Sequence, residues 1–123
     1  MISIDSYGWI ERFGKGPKQA PYNRIIDEAA PREIVTSVVV VYEVYRKVKA
    51  LRGEHAALEA AAALGATWIV PVDQEIALAA ADFSLDHRLH FSDALVYATA
   101  RRYRAELCTS DPDLQGLPGV RFI

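Results

Sequence analysis

Cysteine is nearly absent from this chain of 123 residues: Cys108 stands alone. That excludes an internal disulfide framework and a four-cysteine zinc site, and it suits a reducing cytosol. The three histidines, His55, His87 and His90, lack metal-ligand spacing and read as solvated side chains. Long apolar runs are missing as well, none approaching the roughly 20 residues of a membrane-spanning helix. Asp5 interrupts the apolar start before any signal-peptide pattern develops. The expected setting is cytoplasmic, with no membrane partner. A strong charge of one sign is also lacking. The formal net charge of −2 selects no partner, and slight acidity is a mild count against tight nucleic-acid binding. No internal repeat, linker or low-complexity tract appears.

What remains is an ordinary globular composition, with about half the residues hydrophobic and a length suited to one domain over residues 1–123. Short apolar runs alternate with helical patterns. "ISID" reads as a first strand with Asp5 at its C-terminal end. Trp9, Ile10 and Phe13 then fall at helical spacing before Gly14. "APYNRIIDEAAP" predicts a second helix with Pro21 in its first turn, and "REIVTS" a second strand. In "SVVVVYEVYRKVKA" the valines favour a strand. Yet Ser37 is a suitable N-cap, and Val41, Val44, Val48 and Leu51 mark a helical stripe ending at Gly53. The expectation is a core helix, followed by another over "EHAALEAAAALG". "TWIVP" predicts a third strand, and Asp73 caps a helix facing inward through Ile76, Ala79, Ala80 and Phe83. Ser92 caps the helix "DALVYATARRYR", "AELCTSD" is a fourth strand, and "LPGVRFI" supplies a turn and a last short strand. This alternation predicts an α/β fold, a mostly parallel sheet of four to five strands sandwiched by helices.

Asp5 and Asp111 fall just past the C-terminal ends of predicted strands, where open α/β sheets bind ligands. Glu43 projects from the helix after the second strand, and Asp93 lies in a first helical turn. Singly, each has a structural role to play. Asp93 complements a helix dipole, Asp111 before Pro112 forms a turn, and Glu43 pairs with Lys47 for ~0.2–0.5 kcal/mol. Asp5, directly after a buried strand, needs a partner. Jointly, four like charges at one rim repel unless a cation neutralises them. Oxygen ligands in such a cluster call for Mg²⁺ or Mn²⁺.

Together the segments "ISIDS", "TSVVVVYEV", "HFSDALVYATA" and "LCTSDPDLQGLPGVRF" resemble the PIN-domain ribonucleases, in particular the VapC-type toxins of toxin–antitoxin pairs. The resemblance covers essentially the whole chain. "DALVYATA" followed by "TSDPD" and "LPGV" is its specific part. It implies a parallel sheet between helices with the acidic site at the C-terminal ends of the strands. By motif position its four acids fall on Asp5, Glu43, Asp93 and Asp111, with Asp113 as an additional metal ligand. Thr109 matches a threonine that supports the site. Ser6 stands where threonine is more usual and keeps the hydroxyl, and Leu114 replaces a phenylalanine after the last acid. Glu43 is then an acid in an apolar helix because that helix, positioned by its valines, aims it at the rim.

The expected chemistry is hydrolysis of RNA phosphodiesters by metal-activated water, with carboxylate-held Mg²⁺ or Mn²⁺. Arg46, Lys47 and Arg52 lie where a phosphate backbone would run. Arg101, Arg102 and Arg104 favour the C-terminal end of their helix and offer a further surface for RNA or an acidic partner. Tyr7 is a candidate for base stacking, while Trp9 and Cys108 read as core. The resemblance further implies a cognate antitoxin, whose arginine competes with metal among the acids, and a homodimer. Two rivals come from other classes. One is a PIN-like module that binds RNA or protein without cutting. The other is a receiver-type phosphoacceptor domain, which needs an acid pair after the first strand and a late lysine. Asp5 has no adjacent acid, and no lysine follows Lys49.

Overall fold

The computed structural model describes residues 1–123. Five short strands, β1 (Ile2–Ile4), β2 (Val35–Ser37), β3 (Trp68–Val70), β4 (Glu106–Thr109) and β5 (Val120–Phe122), alternate with helices. These are α1 (Ser6–Gly14), α2 (Gln19–Glu28), α3 (Val38–Gly65), α4 (Gln74–His87) and α5 (Phe91–Arg102), with a 3₁₀ turn at Pro31–Glu33. Every strand pairing is parallel. β4 lies between β1 and β5, β2 pairs with β3, and an isolated bridge from Ile2 to Ile34 joins the two sheets. The resulting order is β3-β2-β1-β4-β5. The chain steps outward from β1 to β3, then crosses back to β4 on the other side of β1. Right-handed crossovers therefore place α1, α2 and α3 on one face and α4 and α5 on the other, in keeping with the packing of α1 on α2 and α3 and of α4 on α5. The reversal between β1 and β4 is the switch point at which such sheets hold ligands.

Local chemistry explains the elements nearest that point. Asp5 is extended and caps α1, its Oδ1 accepting from the Ser6 N–H at 2.8 Å. Gly8 is required where α1 crosses Tyr22, because a Cβ there would run into the Tyr22 ring and Ile4. The valine run is helical, as the Ser37 cap predicts: Ser37 Oγ accepts from the Val39 N–H at 3.2 Å. The buried stripe differs from the expected one. Val40, Val44 and Val48 are fully buried, Val41 is only partly so, and Leu51 is largely exposed. The inward face follows i, i+4, i+8, and burying those three valines contributes about 1.5–3 kcal/mol each. Gly53, at φ 86° and ψ 178°, breaks the helical geometry where a stop was expected, and residues 54–65 continue as a second helical stretch. Asp73 caps α4 through the Ile76 N–H, and Ile76 and Ala80 are buried as expected. Ser92 is not the cap of α5. The helix begins two residues earlier, at Phe91, with His90 in the capping position and no side-chain cap bond. Arg88 in the left-handed region turns the chain so that Leu89 is buried before the helix starts.

Candidate active site

Register delivers Asp5 to Thr109. Ile4 pairs with Cys108 across the β1–β4 ladder, so the residues that follow both strands emerge side by side. Thr109 Oγ1 donates to Asp5 Oδ2 at 2.7 Å and accepts from the Asp111 N–H at 3.0 Å. One buried hydroxyl thus ties the two acids together. Asp5 is only 5% exposed, and its two oxygens are held by different donors. Asp111 also shapes the chain beyond it. Its Oδ1 accepts from the Asp113 N–H at 2.9 Å, closing the turn that precedes buried Leu114.

Asp93, in the first turn of α5, joins Asp5, Ser6, Tyr7, Ser110 and Asp111 around a hollow of about 290 Å³. Glu43 lies on the adjoining side. There Ser6, Ile10, Tyr42, Glu43, Arg46 and Lys47 line a second opening, and Ser6 belongs to both. The electrostatics bind these groups into one site. Burial, then the charges of Asp111 and Asp5, push Asp93 up to about 7, and Glu43 adds to the effect. Burial raises Asp5 above the usual carboxylate range and the charge of Asp111 raises it further, against the Thr109 and Ser6 hydrogen bonds. Burial and then the charge of Asp5 raise Glu43, opposed by the hydroxyls of Ser6 and Ser92. Asp5, Glu43 and Asp93, from distant parts of the chain, are therefore each disfavoured in their charged forms by burial and by neighbouring carboxylate charge.

Other expected residues fall elsewhere. Asp113 is exposed and lines neither opening. Arg46 and Lys47 share the opening with Glu43, whereas Arg52 donates to the Phe13 carbonyl at 2.7 Å and stands apart from it. No ion pair joins Glu43 to Lys47, the pairing expected of a helix-surface role. Trp9 and Cys108 are core, as expected. His87 ends α4, exposed and stacked beside Phe83. Three residues emerge that sequence reasoning passed over. Ser92 is a neighbour of Glu43 instead of a cap. Glu11 is a buried acid bonded to Tyr7, a pair legible only as an i,i+4 spacing. Ser110 joins the wall of the hollow.

The donor set is chemically suited to a hard divalent cation, being all carboxylate and hydroxyl oxygen. As the side chains stand, no three acids gather closely enough to hold one ion. A parallel sheet with the order 3-2-1-4-5 and acids at its switch point defines the class, and the PIN-domain profile matches residues 2–120: the chain belongs to the PIN-domain family. Solved structures agree on the fold. One similar structure is a toxin–antitoxin complex from Klebsiella pneumoniae, at 24% identity and TM-score 0.85, covering 98% of this chain and 96% of that one. Another is VapC20 of Mycobacterium tuberculosis, described as a sarcin–ricin loop cleaving toxin, at 21% identity and TM-score 0.80, covering 98% and 99%. A third is VapBC2 of Rickettsia felis bound to a promoter DNA fragment, at 15% identity and TM-score 0.79, covering 100% and 98%. No curated protein matches by sequence.

Proposed function

We propose that this PIN domain is a divalent-metal-dependent endoribonuclease and the toxin of a toxin–antitoxin pair, working in the cytoplasm as one domain over residues 1–123. The observation that carries this reading is that Asp5, Asp93 and Asp111 line one hollow at the switch point with Glu43 in the adjoining opening, and that Asp5, Glu43 and Asp93 are raised by burial and by neighbouring carboxylate charge. Mutual repulsion of that kind is relieved by Mg²⁺ or Mn²⁺, held by these four acids. When bound, the metal neutralises phosphate charge and activates water for in-line hydrolysis. The chain's own residues do the rest. Thr109 and the Ser6 N–H fix Asp5, so that its oxygens need no reorganisation. The Ser6 and Ser92 hydroxyls favour the charged form of Glu43, against its burial. Asp93, pushed up to about 7 by burial and by the charge of Asp111 and Asp5, would gain most from a cation held at its side. Arg46 and Lys47, beside Glu43, take the RNA backbone. Asp113 and Arg52 are left with secondary parts, one in a turn and one bonded to Phe13.

The toxin role rests on the resemblance of the motifs and on the toxin–antitoxin structures that share the fold. Partners follow from it: an RNA substrate, a homodimer, and an antitoxin that lays an arginine among the four acids. One observation favours a second reading, a PIN module that binds RNA without cutting it: no three acids converge on one point as they stand. The experiment that decides is cleavage of single-stranded RNA in Mg²⁺ or Mn²⁺ and in EDTA. Cutting with metal and none with chelator supports the nuclease. Binding without cutting under any metal selects the module.

A further inference from the structure

Tyr7 stands at the wall of the acidic hollow with 41% of its surface exposed, on the first turn of α1. An exposed tyrosine ordinarily moves freely; this one is held at both its hydroxyl and its ring. Its hydroxyl donates to Glu11 Oε1 at 2.6 Å, one helical turn on, and that carboxylate is 6% exposed. Its ring meets the buried Tyr22 ring edge-to-face, with centroids 6.2 Å apart. Glu11 in turn is clamped. Its Oε1 accepts from the Lys18 N–H at 3.1 Å, and the loop lies so close that a Cβ at Gly16 would collide with the carboxylate. Lys18 Nζ donates to the Ile123 carbonyl at 2.8 Å. Ser110 Oγ donates to that same carbonyl at 3.0 Å, and Tyr22 Oη lies 2.7 Å from Ser110 Oγ. The contacts close a ring: Tyr7, Glu11, Lys18, Ile123, Ser110, Tyr22 and back to Tyr7. Ser110 is the residue before Asp111, so the ring is built into the acidic wall itself.

Such a clamp takes the Tyr7 hydroxyl out of the chemistry, because its proton already has an acceptor. What is left to the hollow is a ring of set orientation. A base of single-stranded RNA beside the carboxylates gains from stacking on an aromatic ring, and a ring already immobilised loses little entropy on binding. We propose that Tyr7 is a base-stacking, specificity-determining residue for the nucleotide next to the acids, and that buried Glu11 is the positioning residue that sets its ring. The inference rests on the RNA reading of the site.

The test is binding of a short single-stranded RNA in EDTA, with each nucleotide in turn made abasic, followed by cleavage kinetics in Mg²⁺. In the wild type one abasic position costs about tenfold or more in affinity. Tyr7→Leu weakens binding of the intact RNA by about the same factor and loses that positional penalty, with KM raised and kcat nearly unchanged. Tyr7→Phe, which keeps the ring but gives up its bond to Glu11, restores the penalty only in part. Glu11→Leu reduces it, and Glu11→Gln, which keeps an oxygen acceptor for Tyr7, brings it back. A role confined to folding does not move the abasic profile. If wild type and Tyr7→Leu give the same abasic profile while the wild type cuts RNA, the stacking inference falls and the nuclease reading stands. If the wild type neither binds nor cuts single-stranded RNA, the RNA reading falls and the inference falls with it.

Discussion

Asp93 offers a sharp test of the acid cluster, through stability. Its carboxyl is raised from an ordinary 3.8 to about 7 by burial and by the charges of Asp111, Asp5 and Glu43. The folded protein therefore holds this proton more tightly than the unfolded chain. Raising pH from about 4 to about 7 strips the unfolded state first, so this group makes stability fall across that window and adds no further change above it. Taken whole, the shift corresponds to about 4 kcal/mol. Asp93 is half-exposed, and solvent screening leaves on the order of 1–2 kcal/mol of that. Asp93→Asn removes the repulsion but also forgoes a favourable charge in the first turn of α5, about 0.3–1 kcal/mol. The net expectation at pH 8 without metal is a gain of about 1 kcal/mol, or ~4 °C in Tm for a chain of this size. Thermal unfolding of both proteins in EDTA, from pH 4 to pH 8, reads it directly. The advantage of Asp93→Asn opens with rising pH and levels off near 7. Added Mg²⁺ stabilises the wild type more and narrows the gap. A variant less stable than the wild type at pH 8, or a difference that does not change with pH, would refute the mutual repulsion from which the metal site is argued.

Glu43→Gln is expected to lower RNA cleavage by about a hundredfold or more with an unchanged circular dichroism spectrum, as for loss of a metal-holding group; full activity would return Glu43 to a surface role. Thr109→Val removes the hydroxyl between Asp5 and Asp111 and leaves a buried carboxylate oxygen without its donor, at about 1–3 kcal/mol in urea unfolding. A stability within error of wild type would mean that Asp5 finds another donor. Gly8→Ala forces Tyr22 off α1 and costs about 1–3 kcal/mol by overpacking, with a matching drop in Tm; a neutral substitution there would show that the ring has room to shift. An antitoxin tail peptide should inhibit less as Mg²⁺ rises if its arginine competes among the acids. Inhibition that ignores both metal and arginine replacement leaves simple blockage of the RNA path.

Much of this protein was legible in one dimension because the relevant physics is local. Alternating periodicities announced the α/β order, the Ser37 cap overruled the β propensity of four valines, and Gly53 marked its break in backbone geometry alone. The four acids were legible as well, each placed by its strand end or helix turn. Tertiary structure decided how those pieces meet. That Asp5 and Thr109 share a hydrogen bond follows from the register of β1 on β4, a pairing no local rule sets. Ser92 looked like a cap, but the helix starts at Phe91, after buried Leu89, and the Ser92 hydroxyl falls beside Glu43. Arg52 looked like part of a basic path, but the packing of α3 on α1 turned it to the Phe13 carbonyl. Val44 and Val48 of the expected stripe are buried, but Val40 takes the place of Val41 and Leu51 is exposed, because periodicity gives a helix face and only its neighbours decide which edge of that face is inside. Tyr7 and Glu11 carry the same lesson. Their spacing is visible in the sequence, but the buried clamp around Glu11 exists only because the Gly16 loop, Ile123 and Ser110, far apart in the chain, close on it when the sheet forms.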